Sequence, residues 1–119
     1  MSLQLLLLST SRVHGKPYLA YCQEIIQDFW GHKRQLLFGP YAAQDYVAYA
    51  KTVREHLQPL GFEVSSLHEM AHRERALDQA DGLFVGGGNT FLLARTLQEQ
   101  GLYPLIRERV RSGNLLYMG

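Results

Sequence analysis

The chain has 119 residues, enough for one domain, and 46% of them are hydrophobic and 19% charged, as in an ordinary globular protein. Twelve Lys and Arg residues nearly balance eleven Asp and Glu residues. The resulting formal net charge of +1 excludes the strongly basic surface of proteins that bind nucleic acids or anionic membranes. The single cysteine, Cys22, excludes an internal disulfide, and the longest apolar run, residues 5–8, is too short to span a bilayer. We therefore expect a soluble, cytoplasmic, single-domain protein.

Hydrophobic periodicity predicts strands that alternate with helices. Residues 4–8 form a short, continuous apolar run, which is typical of a strand buried on both faces. A helix is predicted over residues 17–31, because a proline suits its first turn and a glycine its end. A second strand covers residues 35–38. The helix that follows has one apolar stripe, is capped by Asp45 and is ended by Gly61.

The rest of the chain continues this alternation. The predicted elements are, in chain order, a strand at 62–67, a short charged helix at about 72–79, a strand at 82–85, a helix at about 90–100, a helical segment at about 104–111 and a strand at 115–118. Strands separated by helices form βαβ units with right-handed crossovers. The prediction is therefore an α/β fold, a flavodoxin- or Rossmann-like three-layer sandwich with a mainly parallel sheet.

Three glycines follow the predicted fourth strand, at the edge of the sheet where such folds place their sites. Gly86, Gly87 and Gly88 permit a tight turn with no Cβ in the way of a ligand, and Asn89 and Thr90 then begin a helix. The free N–H groups of such a turn can hold a phosphate, a carboxylate or a developing oxyanion. The alternative is a tight, capped turn with no ligand. The loop is not a P-loop or a dinucleotide motif, because the residues that those motifs require are missing.

Other polar segments give weaker signals. Residues 9–12, Ser-Thr-Ser-Arg, offer hydroxyls and one cation that suit an anion, although polar loops are common at surfaces. Tyr41, in the loop after the second strand, suits packing as well as it suits substrate contact. Cys22 lies on an apolar helix stripe and is predicted to be a small core residue. No Ser-His-Asp or Cys-His triad can be assembled within the chain.

The histidines and the charged residues of the last helices do not predict a site. The histidines lack the spacing of metal ligands, so no metal site is expected. They are His14, His32, His56, His68 and His72. The charged residues are predicted to lie on solvated helix faces. They are Glu99, Arg107, Glu108, Arg109 and Arg111.

Taken together, several segments resemble the opening of the peptidase E family of aspartyl dipeptidases. The matching segments are residues 5–9, 14–19, 38–42, 85–91 and 113–119. The most specific of them is the Gly-Gly-Gly-Asn-Thr-Phe stretch after an apolar strand. The resemblance extends over essentially the whole chain.

The resemblance implies a serine-type peptidase that removes an N-terminal aspartate from dipeptides, with no cofactor. It implies a flavodoxin-like fold with a glutamine-amidotransferase-like architecture, in members about twice as long as this chain. The family's nucleophile lies in a Gly-x-Ser-Ala-Gly turn after a strand. Gly119 matches the first glycine of that turn, so the nucleophile, the histidine and the acid of the triad are expected outside this chain. Residues 1–119 would then be the N-terminal part of one domain, with the remainder either absent or on a companion chain.

The resemblance also gives the glycine loop a role. It implies that the backbone N–H of Gly88 is one oxyanion donor, while the N–H after the missing serine is the other. Gly87, Asn89 and Thr90 are the corresponding candidates for substrate binding, and Asn89 either orients the substrate or braces the loop. The residue that recognises the aspartate side chain of the substrate is expected outside this chain, and residues 9–12 are a weaker candidate for that role.

Two alternative functions remain open. One is a cyanophycinase-like hydrolase of β-aspartyl bonds on the same scaffold, and the other is a non-catalytic module that binds a nucleotide or another anion at the glycine loop. Neither nucleic acid nor membrane is expected as a partner. The expected partners are a small aspartyl-peptide substrate and a companion chain that carries the Ser-His-acid triad.

Overall fold

A computed structural model of the chain describes residues 4–8 and 23–119. Several sequence predictions therefore lie outside the described residues. They are the start of the first helix, the polar loop at 9–12, the segment at 14–19 and the core position of Cys22. No helix within the described residues is long and apolar enough to cross a membrane.

The described residues form five strands and five α-helices, which alternate except for two consecutive helices before the last strand. The strands are β1 (Leu5–Leu6), β2 (Gln35–Gly39), β3 (Glu63–Ser66), β4 (Gly82–Val85) and β5 (Leu116–Met118). The helices are α1 (Gln23–Trp30), α2 (Tyr46–Leu57), α3 (Arg73–Gln79), α4 (Thr90–Glu99) and α5 (Leu102–Arg111). Asp45 caps α2 by accepting a hydrogen bond from the N–H of Ala48, and Gly61 and Gly101 adopt the left-handed conformation expected of helix ends.

All five strands run parallel in one sheet, in the order β1-β5-β4-β2-β3. Helices follow the strands in sequence and cover both faces of the sheet, so the predicted α/β sandwich with a parallel sheet is confirmed. The central strands β2 and β4 are buried throughout, except for Gln35 at the start of β2. Strands buried on both faces are what a three-layer sandwich requires.

Two apolar clusters separate the helical layers from the sheet. In the first, Ile26 and Trp30 of α1 and Val53 of α2 contact sheet residues that include Phe38 and Phe84. In the second, side chains of α3 and α5 pack on the other set of strand residues, which alternate with the first set. The second set includes Leu37, Leu83 and Val85.

The predicted ends of several elements were wrong by a few residues. Strand β1 has two residues rather than the five of 4–8, and β3 and β5 are shorter than predicted. Helix α2 ends at Leu57 and continues as a 3-10 turn, Gln58–Leu60, because a proline within that turn cannot extend the α-helical hydrogen bonds. Helix α5 begins at Leu102 rather than near residue 104.

The prediction that the first strand is buried on both faces was also wrong for this chain. Strand β1 lies at the edge of the sheet, where it pairs only with β5 among the described strands. Leu5 is 45% exposed and Leu7, just after the strand, is 73% exposed. A continuous apolar run specifies the side chains but not what packs on them, and the described residues leave this face uncovered.

Arg109 does not lie on a solvated face as the sequence predicted. Its side chain is 13% exposed and joins α5 to α3 through ion pairs with Asp78, at 2.6 Å, and Glu74, at 3.5 Å. The hydrogen bond from Arg109 lowers the pKa of Asp78 and raises the pKa of Arg109 itself. Both partners precede Arg109 by more than thirty residues, a separation that helical periodicity cannot detect.

Gly82, at the start of β4, lies where a side chain would collide with the core. A Cβ there would be 2.5 Å from the Trp30 ring and 2.9 Å from Leu116 Cβ. We expect Gly82→Ala to lower the free energy of unfolding by about 1–3 kcal/mol, because it overfills a packed site. Gly39→Ala is the matched control, since a Cβ there makes only ordinary contacts of 3.7 Å or more. Urea unfolding of both variants measures the difference, and equal losses would contradict this packing.

The stability of the fold should fall in alkaline solution. Burial is the largest cause of the raised pKa of Tyr41 and of Tyr117, both in the cluster beneath α3 and α5. Their stabilising contribution is complete below about pH 10, where an unfolded tyrosine ionises, and is lost as pH rises through the higher pKa of the folded state. We expect Tyr117→Phe to flatten the decline in urea midpoint between about pH 9 and 11. Tyr103→Phe, at an exposed position, should leave the decline unchanged.

Candidate functional site

Strands β4 and β5 end side by side at the carboxyl edge of the sheet. Phe84 pairs with Met118, and the pairing with β1 continues one residue further, where the N–H of Gly119 donates to Leu6 O at 2.9 Å. Adjacent strands lie about 4.8 Å apart, so the glycine loop after β4 and the backbone at Gly119 share one edge. The expectation that the predicted fourth and fifth strands end near each other is confirmed.

Hydrogen bonds fix the glycine loop at both of its ends. The N–H of Gly86 donates to Gly39 O at 3.1 Å, and the N–H of Asn89 donates to Ala42 O at 2.9 Å. Between these two points, the N–H groups of Gly87 and Gly88 make no hydrogen bond to any other residue that the structure describes. Among hydrogen bonds to the described residues, the loop therefore has two consecutive free donors between two anchored ones, which is the arrangement an anion or a developing oxyanion needs.

The surroundings of the three glycines differ. Gly86 and Gly88 leave no room for a side chain, whereas Gly87 does. A Cβ at Gly86 would lie 2.5 Å from the hydroxyl oxygen of Tyr49, and a Cβ at Gly88 would lie 2.7 Å from Ala42 O. Gly88 also has a φ of +143°, a conformation that other residues rarely adopt. A Cβ at Gly87 would meet no described atom within 4 Å. The outer glycines are thus fixed by packing, while the middle one faces open space.

Asn89 and Thr90 begin α4 directly after the loop. The side chain of Asn89 caps the helix, because its Oδ1 accepts a hydrogen bond from the N–H of Leu92 at 3.1 Å. This bond braces the loop, which is one of the two roles predicted for Asn89. Thr90 is exposed in the first turn, and the next residue, Phe91, is 85% exposed.

Tyr41 is buried in the loop after β2. Its side chain is 1% exposed, and its hydroxyl accepts a hydrogen bond from Arg73 Nε at 3.4 Å. The Tyr46 ring meets it edge-on, with 5.2 Å between centroids. Of the two roles that suited Tyr41, the described geometry favours packing. Its neighbour Ala42 supplies the carbonyl that anchors Asn89.

A serine and a histidine meet at the end of β3, but they do not form a nucleophile and base. Ser66 Oγ is hydrogen-bonded to His68 Nδ1, and the His68 ring packs against Tyr46 with 5.7 Å between centroids. Ser66 is 0% exposed, so its hydroxyl cannot reach a substrate. Within the described residues, no group of three or more His, Cys, Asp and Glu side chains is placed to bind a metal.

The contact between Tyr49 and the glycine loop was not predicted from the sequence. The Tyr49 hydroxyl donates a hydrogen bond to Gly87 O at 3.1 Å. The Tyr49 ring packs edge-on against Phe38. The bond joins residues 38 positions apart, and no local pattern reports a contact over that separation.

The chain is similar to one protein family and to several curated proteins. The model of peptidase family S51 matches residues 5–119. The chain is 47% identical over 117 residues to "Probable alpha-aspartyl dipeptidase" of Drosophila melanogaster, covering 97% of this chain and 49% of that protein. It is 43% identical over 115 residues to "Peptidase E" of Shewanella amazonensis, covering 95% of this chain and 49% of that protein.

A solved structure shares the fold. The crystal structure of a candidate peptidase E from Listeria monocytogenes matches with a TM-score of 0.73 and 24% identity, covering 97% of this chain and 56% of that one. The chain spans about half the length of the curated relatives it matches. The family match extends from β1 through the glycine loop to Gly119, and the chain belongs to peptidase family S51.

Proposed function

We propose that this chain forms part of a serine-type dipeptidase that hydrolyses the peptide bond after an N-terminal aspartate. The observation that carries the proposal is the free N–H of Gly88, held in a braced loop beside the end of β5 in a chain of peptidase family S51. Relatives at 47% and 43% identity bear the names alpha-aspartyl dipeptidase and peptidase E, which supports the aspartyl specificity.

In the proposed reaction, a serine hydroxyl outside these 119 residues attacks the carbonyl carbon that follows aspartate. A histidine takes the serine proton as the C–O bond forms, and the carbonyl electrons move onto oxygen. The N–H of Gly88 donates to that oxygen, and a second N–H beside the nucleophile completes the pair of donors. Collapse of the intermediate breaks the C–N bond, and the histidine returns its proton to the leaving amine. Water, deprotonated by the same histidine, then attacks the aspartyl ester left on the serine, and the ester C–O bond breaks to release aspartate and restore the serine hydroxyl.

The surroundings of Gly88 suit the approach of a substrate. Gly87 presents no side chain and open space, so a planar peptide can come close to the loop backbone. We assign Gly87, Asn89 and Thr90 to substrate binding: Gly87 by its shape, Asn89 by bracing the turn and Thr90 by its exposed first-turn position. We assign the group that binds the aspartate carboxylate to polypeptide outside this chain.

We further propose that a companion polypeptide carries the nucleophile and the rest of the triad. The length of the relatives supports a nucleophile outside these 119 residues, since the chain matches about half of each. An apolar cavity of about 300 Å³ beside β5 and the exposed edge strand β1 supports a companion polypeptide. Leu5, Tyr103 and Tyr117 help to line it, and Leu5 and Tyr103 are 45% and 58% exposed. Apolar surface of this kind is suited to burial against another part of the same domain.

A cytoplasmic location belongs to the same proposal. The single cysteine among 119 residues is consistent with a compartment where disulfides do not form.

Replacing the Gly88 amide by an ester tests the oxyanion assignment. Semisynthesis with glycolate at position 88 exchanges the N–H for an oxygen and leaves the glycine-like backbone free to keep its φ of +143°. In the enzyme completed with its companion polypeptide, we expect kcat on aspartyl-p-nitroanilide to fall about 100- to 1,000-fold, because one oxyanion donor is lost. KM should change little, since that bond forms chiefly in the transition state.

The same ester at Gly87 is the matched control, because its N–H is the neighbouring free donor. If the ester at Gly87 lowered kcat strongly and the ester at Gly88 did not, the oxyanion donor would be the N–H of Gly87 instead of Gly88. A completed enzyme that binds nucleotides but does not cleave aspartyl substrates would favour the anion-binding alternative. Preference for β-aspartyl over α-aspartyl bonds would favour the cyanophycinase-like one.

A matched pair of substitutions tests the companion surface. Tyr103 and Val47 are both the second residue of a helix and are 58% and 71% exposed, but only Tyr103 borders the cavity. An aspartate at either position suits the first turn of a helix. We expect Tyr103→Asp to weaken binding of the companion polypeptide at least about tenfold, because it replaces an apolar ring with a charge that binding would have to desolvate. Val47→Asp should leave the Kd unchanged in isothermal titration calorimetry, and equal effects would refute this surface.

A further inference from the structure

One peptide unit links Tyr49 to the proposed oxyanion donor. The carbonyl of Gly87 and the N–H of Gly88 belong to the same peptide group, and the Tyr49 hydroxyl donates to that carbonyl at 3.1 Å. A trans peptide is planar, so its C=O and N–H point in opposite directions. The described residues contain no cis peptide bond. Holding the carbonyl therefore also sets the direction in which the N–H of Gly88 points.

The fold brings Tyr49 to this carbonyl in a fixed orientation. Tyr49 lies one turn into α2, and its ring meets Phe38 of β2 edge-on, with 5.0 Å between centroids. The hydroxyl passes directly over Gly86, where a Cβ would lie 2.5 Å from the oxygen and 2.6 Å from the ring carbon that bears it. The first glycine of the loop thus provides the space through which Tyr49 reaches the second.

The next peptide along the chain, between Gly88 and Asn89, is held independently. Ala42 O accepts the N–H of Asn89 at 2.9 Å, which fixes the peptide that follows Gly88. The peptide between Gly87 and Gly88 is therefore confined by a hydroxyl at its carbonyl and by a neighbouring peptide bonded to the β2 loop. Of the two polar groups of this peptide, the N–H is the one that makes no hydrogen bond to a residue that the structure describes.

We propose that Tyr49 is a positioning residue that orients and polarises the Gly88 N–H for oxyanion stabilisation. The inference rests on the proposed function of Gly88. A hydrogen bond to a peptide carbonyl draws electron density from the amide nitrogen, which makes the N–H a stronger donor. Orientation matters as much, because donors that are already aimed at the developing charge need no reorganisation during the reaction. In this role Tyr49 acts through the peptide group that joins Gly87 to Gly88.

Nuclear magnetic resonance of this chain tests the link without any catalytic assay. Tyr49→Phe removes the hydroxyl and keeps the ring on Phe38, so we expect the Gly87 carbonyl carbon and the Gly88 amide proton to shift while the fold persists. Tyr46→Phe is the matched control, because it removes a hydroxyl one turn earlier on the same helix. It should leave both resonances in place. Unchanged Gly87 and Gly88 signals in Tyr49→Phe would overturn the proposal.

A graded change at Tyr49 separates polarisation from simple packing. Fluorinated tyrosines at position 49 keep the ring and the hydroxyl but make the hydroxyl a progressively stronger donor. We expect the Gly88 amide proton to move steadily in the direction opposite to its shift in Tyr49→Phe. A purely structural role predicts no such trend, and its absence would overturn the polarising part of the proposal.

Kinetics of the completed enzyme test the consequence for catalysis. We expect Tyr49→Phe to lower kcat on aspartyl-p-nitroanilide about 3- to 10-fold, as for loss of one ordinary hydrogen bond, with KM unchanged. A shifted Gly88 resonance with unchanged kcat, or a change confined to KM, would overturn the positioning role. If the completed enzyme cleaves no aspartyl substrate, the proposed function fails, and the resonances still decide whether Tyr49 controls the Gly88 peptide.

Discussion

The parallel pairing of β4 with β5 is the constraint on which the candidate site depends. With Phe84 opposite Met118, both strands end at the same edge, and the glycine loop opens beside the backbone of Gly119. In the opposite orientation, β5 would end at the far side of the sheet. The apolar side chains that bury both strands set this pairing, so the core of the protein determines where the Gly88 donor lies.

The glycine loop has its shape because three neighbouring elements hold it. Strand β2 supplies Gly39 O, the following turn supplies Ala42 O, and α2 supplies the Tyr49 hydroxyl. The two outer glycines admit these neighbours, while Gly87 leaves the outer surface free. A loop that only needed flexibility would not need contacts this close. The geometry is that of a rigid turn with donors directed outward, which is what electrostatic stabilisation of a transition state requires.

Much of the fold could be predicted because its signals are local. Short apolar runs and helical stripes identified the five described strands and the order of helices between them, and Asp45 marked the start of α2 correctly. The errors share a physical cause. The exposure of Leu5 and the burial of Arg109 depend on what packs against them from elsewhere in the fold, which the local sequence does not specify.

The same distinction applies to the site. The three glycines and the capping Asn89 are contiguous, so the sequence identified the loop and the fold placed it at the expected edge. The Tyr49 hydroxyl and the Ala42 carbonyl reach the loop from α2 and the β2 turn, and neither contact leaves a mark in the sequence. Residues that hold the donor in place were therefore found only from the structure.

The most direct test is a structure of the completed enzyme with an aspartyl aldehyde, which would form a tetrahedral adduct on the nucleophile. The account predicts the adduct oxygen about 2.7–3.1 Å from the nitrogen of Gly88. Tyr49 should remain hydrogen-bonded to Gly87 O in that complex. An adduct oxygen bound by other donors, with the Gly88 N–H directed away from it, would contradict the central claim.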